Sequence, residues 1–287
     1  MPIAVLTLGF DPIAHPFGDV AVRWGVLAVA GVLIASLLVA GRLVRAAGLR
    51  VDDLAFVAIG AVPGAVIGGR LGYVLLHVTY YGSHTGSIAD PAVGSLELGL
   101  GVLGGILTAA YVARLLGAPV GRWLHVVTGP LLFALGAGKL TMVLTGAGQG
   151  LPSDAPWATA YAGPGPWGSL APALPSLPSQ ALEGIGTLVV LTALTLVLMA
   201  GVFERSDGRA FFLGLGAWGL LRAIVSGSWR DQPVVLGLNA GGLIAILVVV
   251  VATAGFAWLA TIGPRLRERA LRAAEVRWPD PETRPPF

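Results

Sequence analysis

The chain has 287 residues, 55% of them hydrophobic and only 11% charged, with a formal net charge of +3. A soluble domain carries about 25% charged residues, so this composition excludes that class and points to a polytopic membrane protein. No cysteine is present, which excludes disulfides, thiolate metal sites and a cysteine nucleophile within the chain.

The residues up to Val20 lack a basic leader and hold Asp11 and Asp19, so the first spanning helix is expected to be the insertion signal and to stay. Seven apolar stretches are long enough to span: Val20–Val44, Leu54–Tyr80, Val93–Leu116, Trp123–Leu144, Gln180–Val202, Ala210–Ser226 and Val235–Ile262. The expected fold is all-α, with a membrane domain over residues 1–262 and a basic cytoplasmic tail over 263–287. The second stretch carries Gly60, Gly64, Gly68 and Gly72 on one face, and the third repeats the pattern with Gly101 and Gly105. Such ridges let helices approach closely in lipid. The sixth stretch is short and glycine-rich, which makes it the weakest span of the seven.

Arginines fix an expected orientation. Arg42, Arg45 and Arg50 follow the first helix, Arg114 and Arg122 the third, and Arg205 and Arg209 the fifth. More follow in the tail, including Arg265, Arg269 and Arg272, which read as a topology signal or as a short basic helix on anionic lipid. The opposite side holds Arg23 and Arg230 alone. The positive-inside rule then puts the N-terminus outside and the tail in the cytoplasm.

Five ionisable residues lie inside apolar segments: Arg70, Glu97, Lys139, Glu183 and Arg222. Each costs about 2.5–3.5 kcal/mol at a helix centre on insertion scales, so such groups face a protein interior or a wet cavity. Counted along the oriented helices at roughly 1.5 Å per residue, all five fall toward the outer side. The expectation is one polar pocket opening near the outer leaflet, set against snorkelling for Glu97 and Glu183 and plain ion pairing for the three cations. The loop 146–179 is rich in proline, has no basic residue and is expected outside. It reads either as a partly ordered cap over the pocket or as a plain linker, with Trp157, Tyr161 and Trp167 at headgroup level. His77, His84 and His125 have no metal-ligand spacing, and no zinc-type His-Glu-x-x-His, nucleophile elbow or Walker loop occurs.

The order of motifs resembles the prolipoprotein diacylglyceryl transferase family. The resemblance is carried by Asp11-Pro12-Ile13 with Arg23-Trp24, by Gly68-Gly69-Arg70-Leu71-Gly72-Tyr73, and by Gly136-Ala137-Gly138-Lys139. Further on it is carried by Pro152-x-Asp154-x-Pro156-Trp157, Pro178-Ser179-Gln180-x-x-Glu183 and Trp218-Gly219-x-x-Arg222 with Arg230. Where the family pattern has a histidine on the third helix, this chain runs Leu98-Gly99-Leu100-Gly101. Lys139 stands for the signature arginine, Met142 for its asparagine, Ala147 for its later glutamate, Leu177 for the histidine before Pro-Ser-Gln, and Ser226 for the acid of the sixth helix.

The resemblance implies transfer of a diacylglyceryl group from phosphatidylglycerol to the lipobox cysteine of a prolipoprotein in the bacterial plasma membrane. The implied partners are phosphatidylglycerol, membrane lipid and the prolipoprotein signal peptide, with no cofactor, metal or nucleic acid. It also implies Arg222 and Glu183 as catalytic, and Lys139, Arg70 and Arg230 as phospholipid-binding, with Arg70 orienting Glu183 or Glu97. The alternative is a family relative that binds anionic lipid or a lipoprotein precursor without turnover.

Overall fold

In a computed structural model, residues 5–90, 92–203 and 207–262 are described. The expected basic tail lies outside them.

Among the described residues, seven long apolar helices run through the fold. They are α1 (Trp24–Ala46), α2 (Val51–Leu76), α4 (Leu98–Leu115), α5 (Val120–Thr141), α6 (Ser179–Met199), α7 (Arg209–Ser226) and α8 (Ala240–Ala257), with a short α3 (Val78–Ser83) after α2. Three expected boundaries move at the end of the bundle where the polar residues gather. Val20–Arg23 is not helix but strand β3, paired antiparallel with β2 (Ile13–Phe17). The stretch from Val93 to Glu97 is irregular, and the third span starts at Leu98. The residues Pro233–Val235 (β5) and Leu238–Asn239 (β6) form a hairpin ahead of α8. In the second and third cases the apolar run extends into residues whose side chains cap the helix start, whereas at α1 the Arg23 cap position makes no side-chain bond and the preceding residues pair as a strand. Glu97 accepts hydrogen bonds from the Gly99 and Leu100 amides, and Asn239 Oδ1 accepts from the Gly242 amide, each satisfying orphan donors of a helix start.

The glycine ridge on α2 packs against α4. A Cβ at Gly64 would collide with the Gly104 carbonyl, and one at Gly68 with the Leu100 carbonyl. The closest approach therefore uses Gly104, one position from the expected Gly105, because the two backbones meet there with no side chain between them. The glycine-rich α7, weakest by sequence, is the central helix: 56% of its most apolar window is buried, against 11% for α1. Its glycines admit the neighbours, Gly214 receiving Leu132 and Leu194, and Gly219 receiving Val248 and Val249. Around it Leu132, Leu135, Leu194, Phe211, Leu215, Trp218 and Val248 form the main core. A second core of Val44, Val57, Ala113, Trp123 and Val126 closes the other end between α1, α2, α4 and α5.

The loop 146–179 is a folded cap. Strand β1 (Leu6–Gly9) pairs in parallel with β4 (Thr159–Ala162), and Thr159 and Ser176 exchange backbone hydrogen bonds. Tyr161 is buried and packs against Trp167 with the rings tilted at 45° and centroids 4.9 Å apart, and Phe10 meets Trp167 edge-on at 5.2 Å. Tyr161 and Trp167 thus form the core of the cap and not an aromatic belt. Trp157 is half exposed.

Candidate functional site

Close helix crossings bring the charges together. Gly136 on α5 and Gly184 on α6 face each other, a Cβ on either lying about 3 Å from the other's carbonyl. That approach sets Lys139 beside Glu183: Nζ lies 3.0 Å from Oε2 as an ionic contact without a directed hydrogen bond. From α7, Arg222 Nη1 donates to Glu183 Oε1 at 2.5 Å, and Nη2 to Glu97 Oε1 at 3.1 Å. Glu97 is held in turn by the Gly99 and Leu100 amides, both at 2.7 Å, and by its own amide donating to the Gly69 carbonyl on α2. Gly72 leaves room for it; a Cβ there would lie 2.7 Å from Glu97 Cβ.

The result is a formally neutral cluster of two cations and two carboxylates drawn from α4, α5, α6 and α7. Burial makes mutual pairing obligatory, because an isolated charge in this interior is costly. Glu183 is fully buried and Arg222 nearly so, while the Lys139 side chain keeps 18% of its surface. The Trp229 ring covers both cations, with its centroid 4.7 Å from the Arg222 guanidinium carbon and 6.0 Å from Lys139 Nζ. Trp218, one turn before Arg222, lies 5.9 Å from that carbon. Buried Arg222 Nε has no hydrogen-bond partner among the described residues.

Four of the five intramembrane charges converge as expected, and Arg70 does not join them. Its Nε donates to the Ile88 carbonyl, Nη1 to Val93, and Nη2 to Ser87 and Asp90, with Tyr81 under the guanidinium at 5.3 Å. The expectation that Arg70 orients Glu183 or Glu97 is therefore corrected: it organises the 87–93 loop. One glycine face of α2 packs on α4, and this turns Arg70 toward that loop. Arg230 binds the Gly150 carbonyl through Nε and Ser176 Oγ through Nη2, so it fastens the cap. Sequence reasoning missed Trp229 and gave Glu97 no role of its own. The one signal for Glu97 was an acid followed by glycine-rich residues at a helix start.

Glu97 also lines an apolar cavity of about 590 Å³ bounded by α1, α2, α4 and α5 with Phe211 of α7, within the range of small-molecule sites. Its walls include Leu33, Leu37, Ala61, Ala65, Val102, Val127, Leu131 and Phe211. Glu97 is the one ionisable group among the described residues that line it. Under the cap, Gln180 Nε2 donates to the Tyr161 hydroxyl at 3.2 Å. Burial pushes the Tyr161 phenol above its ordinary pKa, and the Gln180 contact partly offsets the rise. No group of three or more His, Asp or Glu able to hold a metal ion occurs among the described residues.

A sequence model of the prolipoprotein diacylglyceryl transferase family matches residues 12–258. Three relatives each bear the name phosphatidylglycerol–prolipoprotein diacylglyceryl transferase. The protein of Geobacter sulfurreducens is 34% identical over 239 residues, which is 80% of this chain and 86% of the relative. That of Bordetella avium is 33% identical over 82% of this chain and 87% of its own length. That of Paramagnetospirillum magneticum is 31% identical over 90% and 97%.

Proposed function

The chain belongs to the prolipoprotein diacylglyceryl transferase family, and on that footing we propose that it moves a diacylglyceryl group from phosphatidylglycerol to the thiol of a lipobox cysteine on a prolipoprotein. A carbon–sulfur bond forms at the glyceryl carbon as its bond to the phosphate oxygen breaks. The electron pair leaves with glycerol phosphate, whose new monoester oxygen takes up the proton that the thiol loses.

One observation carries this reading: Glu97 belongs both to the wall of the apolar cavity and to the ion cluster. A lipid with its acyl chains in the cavity brings its phosphate to the cations. Lys139, the more exposed cation, and the free Arg222 Nε are the donors left for it. Negative charge building on the departing phosphate is stabilised by cations already in place and screened from water. Arg222 and Glu183 are the central pair, Glu183 fixing Arg222 and Lys139 at one height. Arg70 and Arg230 contribute to the lipid site by shaping the loop and the cap around it.

We place the cap outside and the protein in the bacterial plasma membrane. Arg42, Arg45, Arg50, Arg114, Arg122 and Arg209 all sit at the helix ends opposite the cap, the pattern of a cytoplasmic face. The partners are phosphatidylglycerol and the signal peptide of the prolipoprotein.

A second reading has its own support. Both cations already hold carboxylates, so phosphate must compete with Glu97 and Glu183, which favours lipid binding without turnover. Purified protein with phosphatidylglycerol and a lipobox peptide separates the two. Release of glycerol phosphate that falls about 100-fold in Lys139→Met and persists in Lys139→Arg supports transfer. Bound lipid with no product, in a folded protein, sinks it.

A further inference from the structure

The β5–β6 hairpin breaks two rules at one residue. Its pairing of Val235 with Leu238 leaves Leu236 and Gly237 as a two-residue turn, with φ of +50° and +79°. Turns of this kind take Asn-Gly or Asp-Gly, because both central residues adopt positive φ. Here the first position holds leucine, a branched side chain in a conformation that L residues disfavour, and it is 96% exposed. Val234 and Val235 before it are 63% and 49% exposed. Water gives no reason for this choice, whereas hydrocarbon does.

We infer that the hairpin tip is a membrane anchor, seated at the boundary between headgroups and acyl chains in the leaflet on the cap side. Three features select lipid over a peptide as the occupant. Consecutive strand residues point to opposite faces, so Val234 and Val235 present apolar surface on both sides of a convex tip; lipid surrounds such a tip, whereas a peptide covers one face. The spans on either side of the hairpin expose apolar side chains too, Ile224 near the end of α7 and Val250 on α8. The base of the hairpin is polar, with Arg230, Asp231 and Gln232, which orders the segment from headgroup to tail as it leaves the cap. The depth is limited to the boundary, because turn backbone groups without partners are not tolerated deeper in hydrocarbon.

The anchor bears on the ion cluster. Trp229, whose ring covers Arg222 and Lys139, lies four residues before β5, and Asn239 at the far end of the hairpin donates to the Ser226 carbonyl of α7. Seating the tip in lipid therefore fixes the height of this covering ring relative to the leaflet from which a lipid enters.

The absence of cysteine makes the test direct. Leu236→Cys in the full chain is labelled with a nitroxide and reconstituted in vesicles of equal parts phosphatidylglycerol and phosphatidylcholine. Collision with oxygen, which concentrates in lipid, is compared with collision with a water-soluble nickel chelate. Val250→Cys serves as the lipid reference and exposed Asp154→Cys as the aqueous one. The anchor predicts an oxygen-to-nickel ratio at 236 on the Val250 side of the midpoint between the references. A ratio matching Asp154→Cys overturns it, as does a label that is aqueous until a lipobox peptide is added, which would make the tip a peptide contact. In a second protein, a label at Val234→Cys should shift toward the aqueous reference when Leu236→Asn is added, since asparagine suits the turn but not lipid. No shift counts against the anchor. Neither measurement depends on turnover.

Discussion

Replacing Glu183 by glutamine removes one charge from a neutral group of four. The side chain is fully buried and meets cations on both oxygens, Arg222 at 2.5 Å and Lys139 at 3.0 Å. Glutamine keeps an acceptor for Arg222 but turns an amide donor toward the Lys139 ammonium, so two cations depend on Glu97 alone. Breaking a buried pair in this way costs about 3–5 kcal/mol. At about 2–4 °C per kcal/mol for a chain of this size, the unfolding midpoint in detergent micelles should fall by roughly 6–20 °C. Lys139→Met alone leaves Glu183 paired with Arg222 and loses one charged contact, about 1.5–3 kcal/mol. The double variant Glu183→Gln, Lys139→Met restores neutrality and removes the donor–donor clash. It should therefore be more stable than Glu183→Gln by about 1–3 kcal/mol, a coupling typical of residues in one network. Tryptophan fluorescence at one fixed scan rate follows all four proteins. If the double variant loses the sum of the two single losses, the residues do not act as one electrostatic unit, and the site built on them fails.

Other outcomes follow from particular contacts. Gly64→Ala sets a Cβ against the Gly104 carbonyl, a backbone group that cannot yield, and should cost about 1–3 kcal/mol in thermal unfolding. Gly138→Ala on α5 meets nothing within 4 Å among the described residues and should be neutral or stabilising by up to about 1 kcal/mol. Tyr161 stays neutral in the folded cap to a higher pH than in the unfolded chain. Its contribution is thus complete below about pH 10 and is lost as pH rises through the raised folded value. Unfolding midpoints should decline above pH 10, and Tyr161→Phe should flatten that decline. Arg70→Met removes the guanidinium from four loop carbonyls and leaves that of Ile88 with no other donor among the described residues. Limited proteolysis between residues 84 and 97 should quicken roughly tenfold, the effect of about 1.4 kcal/mol of local opening, with the 146–179 cap cut no faster.

Sequence alone determined what depends on local sums. The seven spans follow from runs of apolar residues. The gathering of Glu97, Lys139, Glu183 and Arg222 at one end follows from counting rise along each helix, and the family follows from the order of short motifs. Tertiary structure decided what depends on rotation and crossing. Arg70 stands at a similar height to Lys139, yet its side chain leaves α2 on another face and closes a loop. Glu97 and Arg222 are 125 positions apart, and only the glycine contacts of α2 with α4, and the packing of α7 at the centre, bring them to 3.1 Å. The cap beside them was legible as a proline-rich loop, but its fold rests on a parallel pairing of Leu6–Gly9 with Thr159–Ala162 that no local pattern announces. Hydropathy fixes depth because burial in lipid is a property of each residue. Partnership is a property of pairs, and the close backbone approaches that select those pairs exist only once the helices have packed.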